Sequence, residues 1–84
     1  MIKKNLYIDI QEVMNMTHSQ KIRMALGYIN MSEAELARTI GTSPSAFHQR
    51  MKTDKFSAEE LEKIADAMGA KYTAAFTFQD GTAV

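Results

Sequence analysis

Polar side chains recur at helical spacing in a short segment near the middle of the chain, and their types suit hydrogen bonding to a nucleic acid. If residues 44 to 52 form a helix, one face carries Ser45, His48, Gln49 and Lys52. A glutamine amide can pair bidentately with adenine N6 and N7, and a lysine ammonium suits a phosphate oxygen. No acidic residue lies on this face. The chemistry it favours is contact with base edges and phosphates in a major groove.

The same segment carries signals that would position this face. Ser43 is a candidate N-cap, and Pro44 suits the first helical position, where its missing N–H costs nothing. Phe47 and Met51 lie four residues apart and form an inward face. The free N–H groups at the helix start also suit a phosphate oxygen. These features predict a short helix that buries one side and exposes the other.

Basic residues flank the exposed face. Lys52 and Lys55 suit phosphates, where a point charge is sufficient. Arg50 has two interpretations, because it can extend along the helix flank to a phosphate or pair with an acid such as Glu59. The complete set of candidate contact residues is Thr42, Ser43, Pro44, Ser45, His48, Gln49, Lys52 and Lys55.

A second short helix is predicted immediately before this one. Ser32 and Glu35 have the spacing of a capping box, in which each side chain accepts from the other's backbone N–H. The apolar stripe that follows consists of Leu36, Ala37 and Ile40. Gly41 can adopt the positive φ that ends a helix and turns the chain sharply. The pattern therefore predicts two helices joined by a tight turn.

Two longer helices are predicted on either side of this pair. The first begins at Thr17, with Gln20 completing a capping box, and ends at Asn30. Its apolar face consists of Ile22, Ala25, Leu26 and Ile29, whereas Lys21 falls outside it as a phosphate contact or a solvated side chain. The other begins at Ser57 with Glu60, ends at Gly69, and has an inward stripe of Leu61, Ile64, Ala65 and Met68.

The segment from residue 32 to 51 resembles the helix-turn-helix of the Cro/lambda-repressor-like (XRE) family of DNA-binding proteins. The residues that carry the resemblance are Leu36, Ala37, Ile40, Gly41, Ser43, Pro44, Ser45 and Phe47, and the similarity extends over about residues 20 to 69. The resemblance implies a mainly α fold, a four- to five-helix lambda-repressor-like bundle with a C-terminal β-strand or hairpin. It also implies that residues 43 to 52 form the recognition helix.

The chain departs from the family pattern at two places. Arg50 and Met51 stand where many members have an apolar residue followed by glutamate, so the apolar anchor is displaced by one position. Glu33 opens the first motif helix, where relatives often have a glutamine that contacts phosphate. An acid at that position would repel a phosphate.

The C-terminal segment changes to the alternating pattern of a strand. Residues 70 to 84 form a strand and tail after the 17–69 bundle, and Asp80-Gly81 predicts a turn before a short return strand at residues 82 to 84. A single strand after a helical bundle has an apolar face and unpaired backbone groups, and another segment must cover both. Its partner is either the N-terminal strand or the same strand of a second subunit, which the resemblance favours. The predicted dimerisation residues are Tyr72, Ala74, Phe76 and Phe78.

The N-terminal extension, residues 1 to 16, has two overlapping patterns. Leu6, Ile8 and Ile10 alternate with polar residues as in a strand, whereas Asp9 and Glu12 have capping-box spacing. We favour a strand at about residues 5 to 10 followed by a helical turn. The segment has no long apolar stretch, so it does not match a signal peptide.

Composition limits the function classes. The 84 residues predict one domain, and 10 basic against 10 acidic residues give a formal charge of zero. There is no cysteine, and the histidines, His18 and His48, lack metal-ligand spacing. Nucleotide-binding and nucleophile motifs are missing, and no apolar run reaches a membrane span. We therefore expect neither an enzyme, nor a cofactor, nor a metal site, and we expect a cytoplasmic location.

These observations lead to two functional hypotheses. The first is a bacterial or phage-type transcriptional regulator that binds double-stranded operator DNA as a homodimer, with sequence read by residues 43 to 52. The second is a protein-interaction or antitoxin-like module that keeps the fold with weak or no DNA binding, as zero net charge and Glu33 suggest. A third hypothesis combines the two: the protein binds DNA, and the edge of its C-terminal strand binds a protein partner.

Overall fold

The computed structural model describes residues 15–73 and 76–84. In chain order these residues form α1 (His18–Ile29), α2 (Glu33–Thr39), α3 (Pro44–Thr53), α4 (Ala58–Ala67), β1 (Lys71–Tyr72) and β2 (Phe76–Thr77). The described fold is therefore mainly helical, with a short antiparallel hairpin after the last helix. The strand and helical turn predicted for the N-terminal extension, and the candidate dimer contact Ala74, lie outside the described residues.

Each described helix begins at a hydroxyl-bearing N-cap residue in extended conformation. Three of these starts are full capping boxes, formed by Thr17 with Gln20, Ser32 with Glu35, and Ser57 with Glu60. The fourth uses Ser43, whose Oγ accepts from the N–H of Ala46 at 3.1 Å, with Pro44 in the first turn. All four predicted helix starts are confirmed. They are local signals, because each cap is completed within three residues.

The helix ends depend on residues that tolerate a positive φ. Asn30 closes α1 at φ 58°, and Gly41 turns the chain between α2 and α3 at φ 85°, both as predicted. Asp54 closes α3 at φ 57°, which the sequence did not single out. Aspartate is among the few non-glycine residues that adopt this conformation at low cost.

One hydrophobic core connects the helices with the hairpin. Its residues are Ile22, Ala25, Leu26, Leu36, Ala37, Phe47, Met51, Leu61, Ile64, Ala65, Met68, Phe76, Phe78 and Val84. The predicted inward stripes are confirmed, except that Ile29 and Ile40 are only half-buried at its margin. The core holds α3 against α2, which leaves the opposite side of α3 exposed.

The C-terminal segment folds back on itself instead of forming one continuous strand. β1 pairs antiparallel with β2, with Tyr72 opposite Phe76. The last residues then pair with the other edge of β2, because the N–H groups of Phe76 and Val84 each donate to the other's carbonyl at 2.8 and 2.9 Å. The predicted return strand is confirmed by this contact. The pairing of β2 lies within the chain.

The aromatic residues predicted for a dimer contact pack inside their own chain. Phe76 is fully buried, and its ring lies 5.0 Å from that of Tyr72. Phe78 is buried with its ring centroid 4.8 Å from that of Tyr28 in α1. At these phenylalanines the apolar face of the C-terminal segment is therefore covered by α1 and the rest of the core. A dimer contact through the C-terminal strand stays a prediction.

Lys21 is the other residue whose environment differs from expectation. The sequence placed it outside the apolar face of α1, as a solvated lysine or a phosphate contact. Its side chain is instead buried, with 5% exposure, and Nζ lies 6.0 Å from the centroid of the Tyr72 ring. The interpretation as a solvated side chain is therefore wrong, and the ring of Tyr72 in the hairpin lies near this side of α1. A long methylene stem can lie against an aromatic ring while its charge remains near the ring face.

Candidate functional site

The outward side of α3 is exposed, as its spacing predicts. Phe47 and Met51 retain 2% exposure each and hold the inner side of the helix in the core. We call the opposite side the outer face of α3; it consists of Ser45, His48, Gln49 and Lys52, all exposed. Since these residues follow one another at spacings of three, one and three, they form one stripe along the helix.

The other candidate contact residues border this stripe. Ser43 and Pro44 are exposed at the start of α3, and Thr42 is half-buried in the preceding turn. Lys55 is exposed in the loop after the helix. In the described part of the chain, no ion pair involves Lys52 or Lys55, so neither cation is neutralised there by a neighbouring acid. The structure therefore places all the candidate residues on one helix and its two flanking loops.

The carboxyl end of α3 is fastened to the start of α1. The hydroxyl of Ser19 donates to the carbonyl of Met51 at 2.6 Å, and Oδ1 of Asp54 accepts from the N–H of Ser19 at 2.7 Å. The partners are separated by 32 and 35 positions in sequence, so no local pattern marks them. Sequence reasoning missed this contact, which we call the Ser19 clasp (Ser19, Met51 and Asp54).

The clasp favours the ionised form of Asp54. Burial disfavours the ionised carboxyl, but hydrogen bonds from Ser19 and from the N–H of His18 favour it and outweigh burial, so the pKa of Asp54 is lowered. The folded protein therefore holds the carboxylate form more strongly than water does. It satisfies N–H groups of the first turn of α1, which have no partner within their own helix.

Arg50 is turned away from the outer face and links α3 to α4. Its guanidinium forms an ion pair with Glu60, donates to the carbonyl of Lys55 at 3.1 Å, and lies 5.4 Å from the ring centroid of Phe56. Of the two interpretations offered by the sequence, pairing with an acid is the one observed, although the acid is Glu60 rather than Glu59. Arg50 thus supports the site instead of belonging to its exposed surface.

Glu60 has two roles in this contact. Its Oε1 accepts from the N–H of Ser57 at 2.8 Å as part of the capping box, and its carboxylate also holds Arg50. The hydrogen bond from Arg50, followed by the one from Ser57, lowers the pKa of Glu60 from 4.5 to about 2. Both partners are partly exposed, so solvent weakens the attraction.

A side-chain hydrogen bond also joins the outer face to α2. Nδ1 of His48 lies 3.0 Å from Oε1 of Glu33, the first residue of α2. The acid that departs from the family pattern is therefore not isolated, because it contacts a residue of the outer face. Sequence reasoning named both residues but did not pair them.

A small cleft with both apolar and charged walls lies behind α3. It has a volume of about 120 Å³, and its walls include Ile40, Phe47 and Phe56. Sites for drug-sized ligands are usually about 300–1,000 Å³, so this cleft is too small for such a molecule. Across residues 15–73 and 76–84, no group of three or more potential metal ligands is present.

Comparison of the chain with models of protein families, with curated proteins and with solved structures finds no match. None of the described helices is both long and apolar enough to cross a membrane.

Proposed function

We propose that the protein is a sequence-specific DNA-binding transcriptional regulator with a lambda-repressor-like fold. The observation that carries the proposal is the outer face of α3, which is exposed, polar and free of acids, on a helix whose other side is buried. A helix with these properties fits the major groove, where base edges present a distinct donor and acceptor pattern. In this role the protein acts without enzymatic chemistry and works in the cytoplasm of a bacterium.

The residues of the outer face have separate roles in the proposed complex. Gln49 reads adenine through its amide, and Ser45 donates to or accepts from a neighbouring base or phosphate. Lys52 and Lys55 contact phosphates on either side and provide charge that is not specific for sequence. The third cation of this region, Arg50, pairs with Glu60. Lys52 and Lys55 have no such pair within the described residues, so they remain available for phosphates.

A single copy reads too few base pairs to specify an operator. Residues 44 to 52 span about 13 Å at 1.5 Å per residue, which corresponds to a few base pairs. A homodimer would read two half-sites about one helical turn apart. With Phe76 and Phe78 in the core, we assign the dimer contact to the backbone edge of β1, which no described strand covers on the side away from β2.

In vitro selection from a random DNA pool tests the proposal, because it requires no knowledge of the operator. We expect an enriched sequence with two-fold symmetry and a complex whose affinity falls as salt rises. Gln49→Ala should reduce discrimination at one base position by about 1–3 kcal/mol. The matched control is Gln79→Ala, which removes an exposed glutamine from a turn outside α3.

The result that would refute DNA recognition is a pool with no enriched sequence. If a sequence is enriched but Gln49→Ala behaves like Gln79→Ala, the assignment of Gln49 is wrong while the function stands. The first outcome tests whether the protein recognises DNA, and the second tests whether Gln49 reads a base.

A protein-interaction or antitoxin-like module is the second candidate. It is favoured by the zero formal charge and by Glu33, since an acid beside the outer face opposes the approach of phosphate. In that case the protein would co-purify with a stoichiometric protein partner and would pass through heparin at low salt. Retention on heparin together with an enriched operator would exclude this alternative.

A further inference from the structure

Glu33 and His48 hold each other at the border of the outer face. The distance from His48 Nδ1 to Glu33 Oε1 is 3.0 Å, and the side chains are 54% and 30% exposed. His48 lies beside Gln49 and three residues after Ser45, so its ring belongs to the stripe that carries the proposed base contacts. Its second ring nitrogen, Nε2, has no hydrogen-bond partner among the described residues.

The chemistry of this pair determines which ring nitrogen carries the proton. An ionised carboxylate only accepts hydrogen bonds, so the nitrogen that faces Glu33 must donate. A neutral imidazole has one N–H, and placing it on Nδ1 leaves Nε2 with a lone pair. Without the carboxylate, an exposed histidine can carry the proton on either nitrogen and can present a donor or an acceptor to its surroundings.

We infer that Glu33 is a specificity-determining positioning residue, because it makes the neutral imidazole of His48 present Nε2 to DNA as a hydrogen-bond acceptor. The inference rests on the proposed function. In the major groove an acceptor matches the exocyclic amines, N4 of cytosine and N6 of adenine, and it does not match O6 of guanine or O4 of thymine. His48 therefore selects an amine-bearing base at one operator position, next to the base that Gln49 reads.

The inference also gives a reason for an acid close to a DNA-binding surface. Glu33 opposes phosphate with equal strength on every sequence, so its charge alone reduces affinity without changing base preference. Fixing the His48 tautomer changes base preference instead. The two effects can therefore be separated by comparing affinity across many sequences with discrimination at one position.

A spectroscopic experiment on the free protein tests the tautomer. Imidazole ¹⁵N shifts at pH 8 should show His48 protonated on Nδ1. In Glu33→Gln the amide can donate to or accept from the ring, so both tautomers should appear. A ring protonated on Nε2 in the unsubstituted protein, or no change in the variant, would overturn the inference without any DNA measurement.

DNA selection with Glu33→Gln tests the effect on specificity. Discrimination at one base position should fall about two- to tenfold, the size of one hydrogen bond, while overall affinity rises or stays the same. His48→Ala should lose the same preference, and Glu33→Gln should have no further effect on that preference in the His48→Ala background. The matched control is Glu59→Gln, which removes an exposed acid from the first turn of α4.

The outcomes distinguish this inference from the function on which it rests. If the unsubstituted protein enriches an operator but Glu33→Gln and Glu59→Gln give the same base preferences, the role of Glu33 is refuted and the proposed function survives. If no operator is enriched, base reading by His48 falls together with the proposed function, whatever tautomer the ring adopts.

Discussion

Ser19 joins two parts of the chain that are far apart in sequence. Its hydroxyl and its N–H are both used, one on the carbonyl of Met51 and the other on the carboxylate of Asp54. The hydroxyl bond is buried, so water is not at hand to replace it when it is lost. Ser19 therefore links the end of α3 to α1 by two hydrogen bonds, and no residue of the outer face takes part in them.

Replacing Ser19 with alanine should destabilise the protein through the lost hydroxyl. The carbonyl of Met51 would remain buried without its partner, and we expect a loss of about 1–3 kcal/mol in the free energy of unfolding. Urea denaturation followed by circular dichroism measures this loss. Ser45→Ala is the matched control, since that serine is exposed and its loss should change stability by less than about 0.5 kcal/mol. Equal stability of the two variants would contradict a structural role for the clasp.

At the scale of the elements, α3 and α4 are connected by an ion pair and by a contact between a guanidinium and an aromatic ring. Arg50 lies over the ring of Phe56 and pairs with Glu60, which also caps α4. The loop between α3 and α4 is therefore held by Arg50 on the side of α3 and by Glu60 on the side of α4. Because the carboxyl of Glu60 has a lower pKa in the folded protein than in the unfolded chain, this contact makes stability depend on pH.

The contribution of Glu60 should be complete above pH 4.5 and should decline as pH falls toward about 2. The unfolded chain binds the proton at higher pH than the folded protein does, so acid favours unfolding across this interval. Glu60→Gln keeps a side chain suited to the capping box but loses the charge, and its stability should change less over the same interval. Thermal melts at several pH values measure the difference.

The control for this pH dependence is Glu59→Gln, because that acid is exposed and forms no ion pair within the described residues. Its melts should follow those of the unsubstituted protein. A Glu60→Gln variant with the same acid dependence as Glu59→Gln would show that the ion pair does not contribute to stability.

At the scale of the whole molecule, the C-terminal hairpin is part of the hydrophobic core. Phe76 is fully buried and Val84 is buried beside it, so the last residues complete the packing of the helices. An 84-residue chain at about 0.05–0.15 kcal/mol per residue has roughly 4–13 kcal/mol of stability. Because this total is small, loss of the packing between the hairpin and the helices is expected to affect whether the helices fold.

Phe76→Ala should lower the free energy of unfolding by about 3–5 kcal/mol, because it removes a fully buried aromatic ring. Lys71→Ala, at an exposed position of β1, should have little effect. Chemical denaturation measures stability, and light scattering measures oligomeric state. A Phe76→Ala variant that keeps its stability but changes its oligomeric state would instead assign the ring to a subunit contact.

Features that depend on neighbouring residues could be predicted from the sequence. The caps at Thr17, Ser32, Ser43 and Ser57 and the inner side of α3 follow from spacings of three or four residues. The contact of Lys21 with the ring of Tyr72 could not be predicted in this way, because the two residues are distant in sequence. In the candidate site, the exposed residues could be predicted because they follow from helical periodicity. The Ser19 clasp and the Glu33–His48 contact could not be predicted, because each joins two helices that no local pattern pairs.

The attachment of α3 at both of its ends has a consequence for the energetics of association. The turn at Gly41 precedes α3 and the Ser19 clasp holds its carboxyl end, so we expect the free and bound protein to differ little in backbone conformation. Docking would then cost little ordering entropy on the protein side. In the proposed complex with DNA, the double helix would have to bend to relieve any mismatch in curvature. The protein would then discriminate between stiff and pliable base steps between the half-sites, even where no side chain touches them.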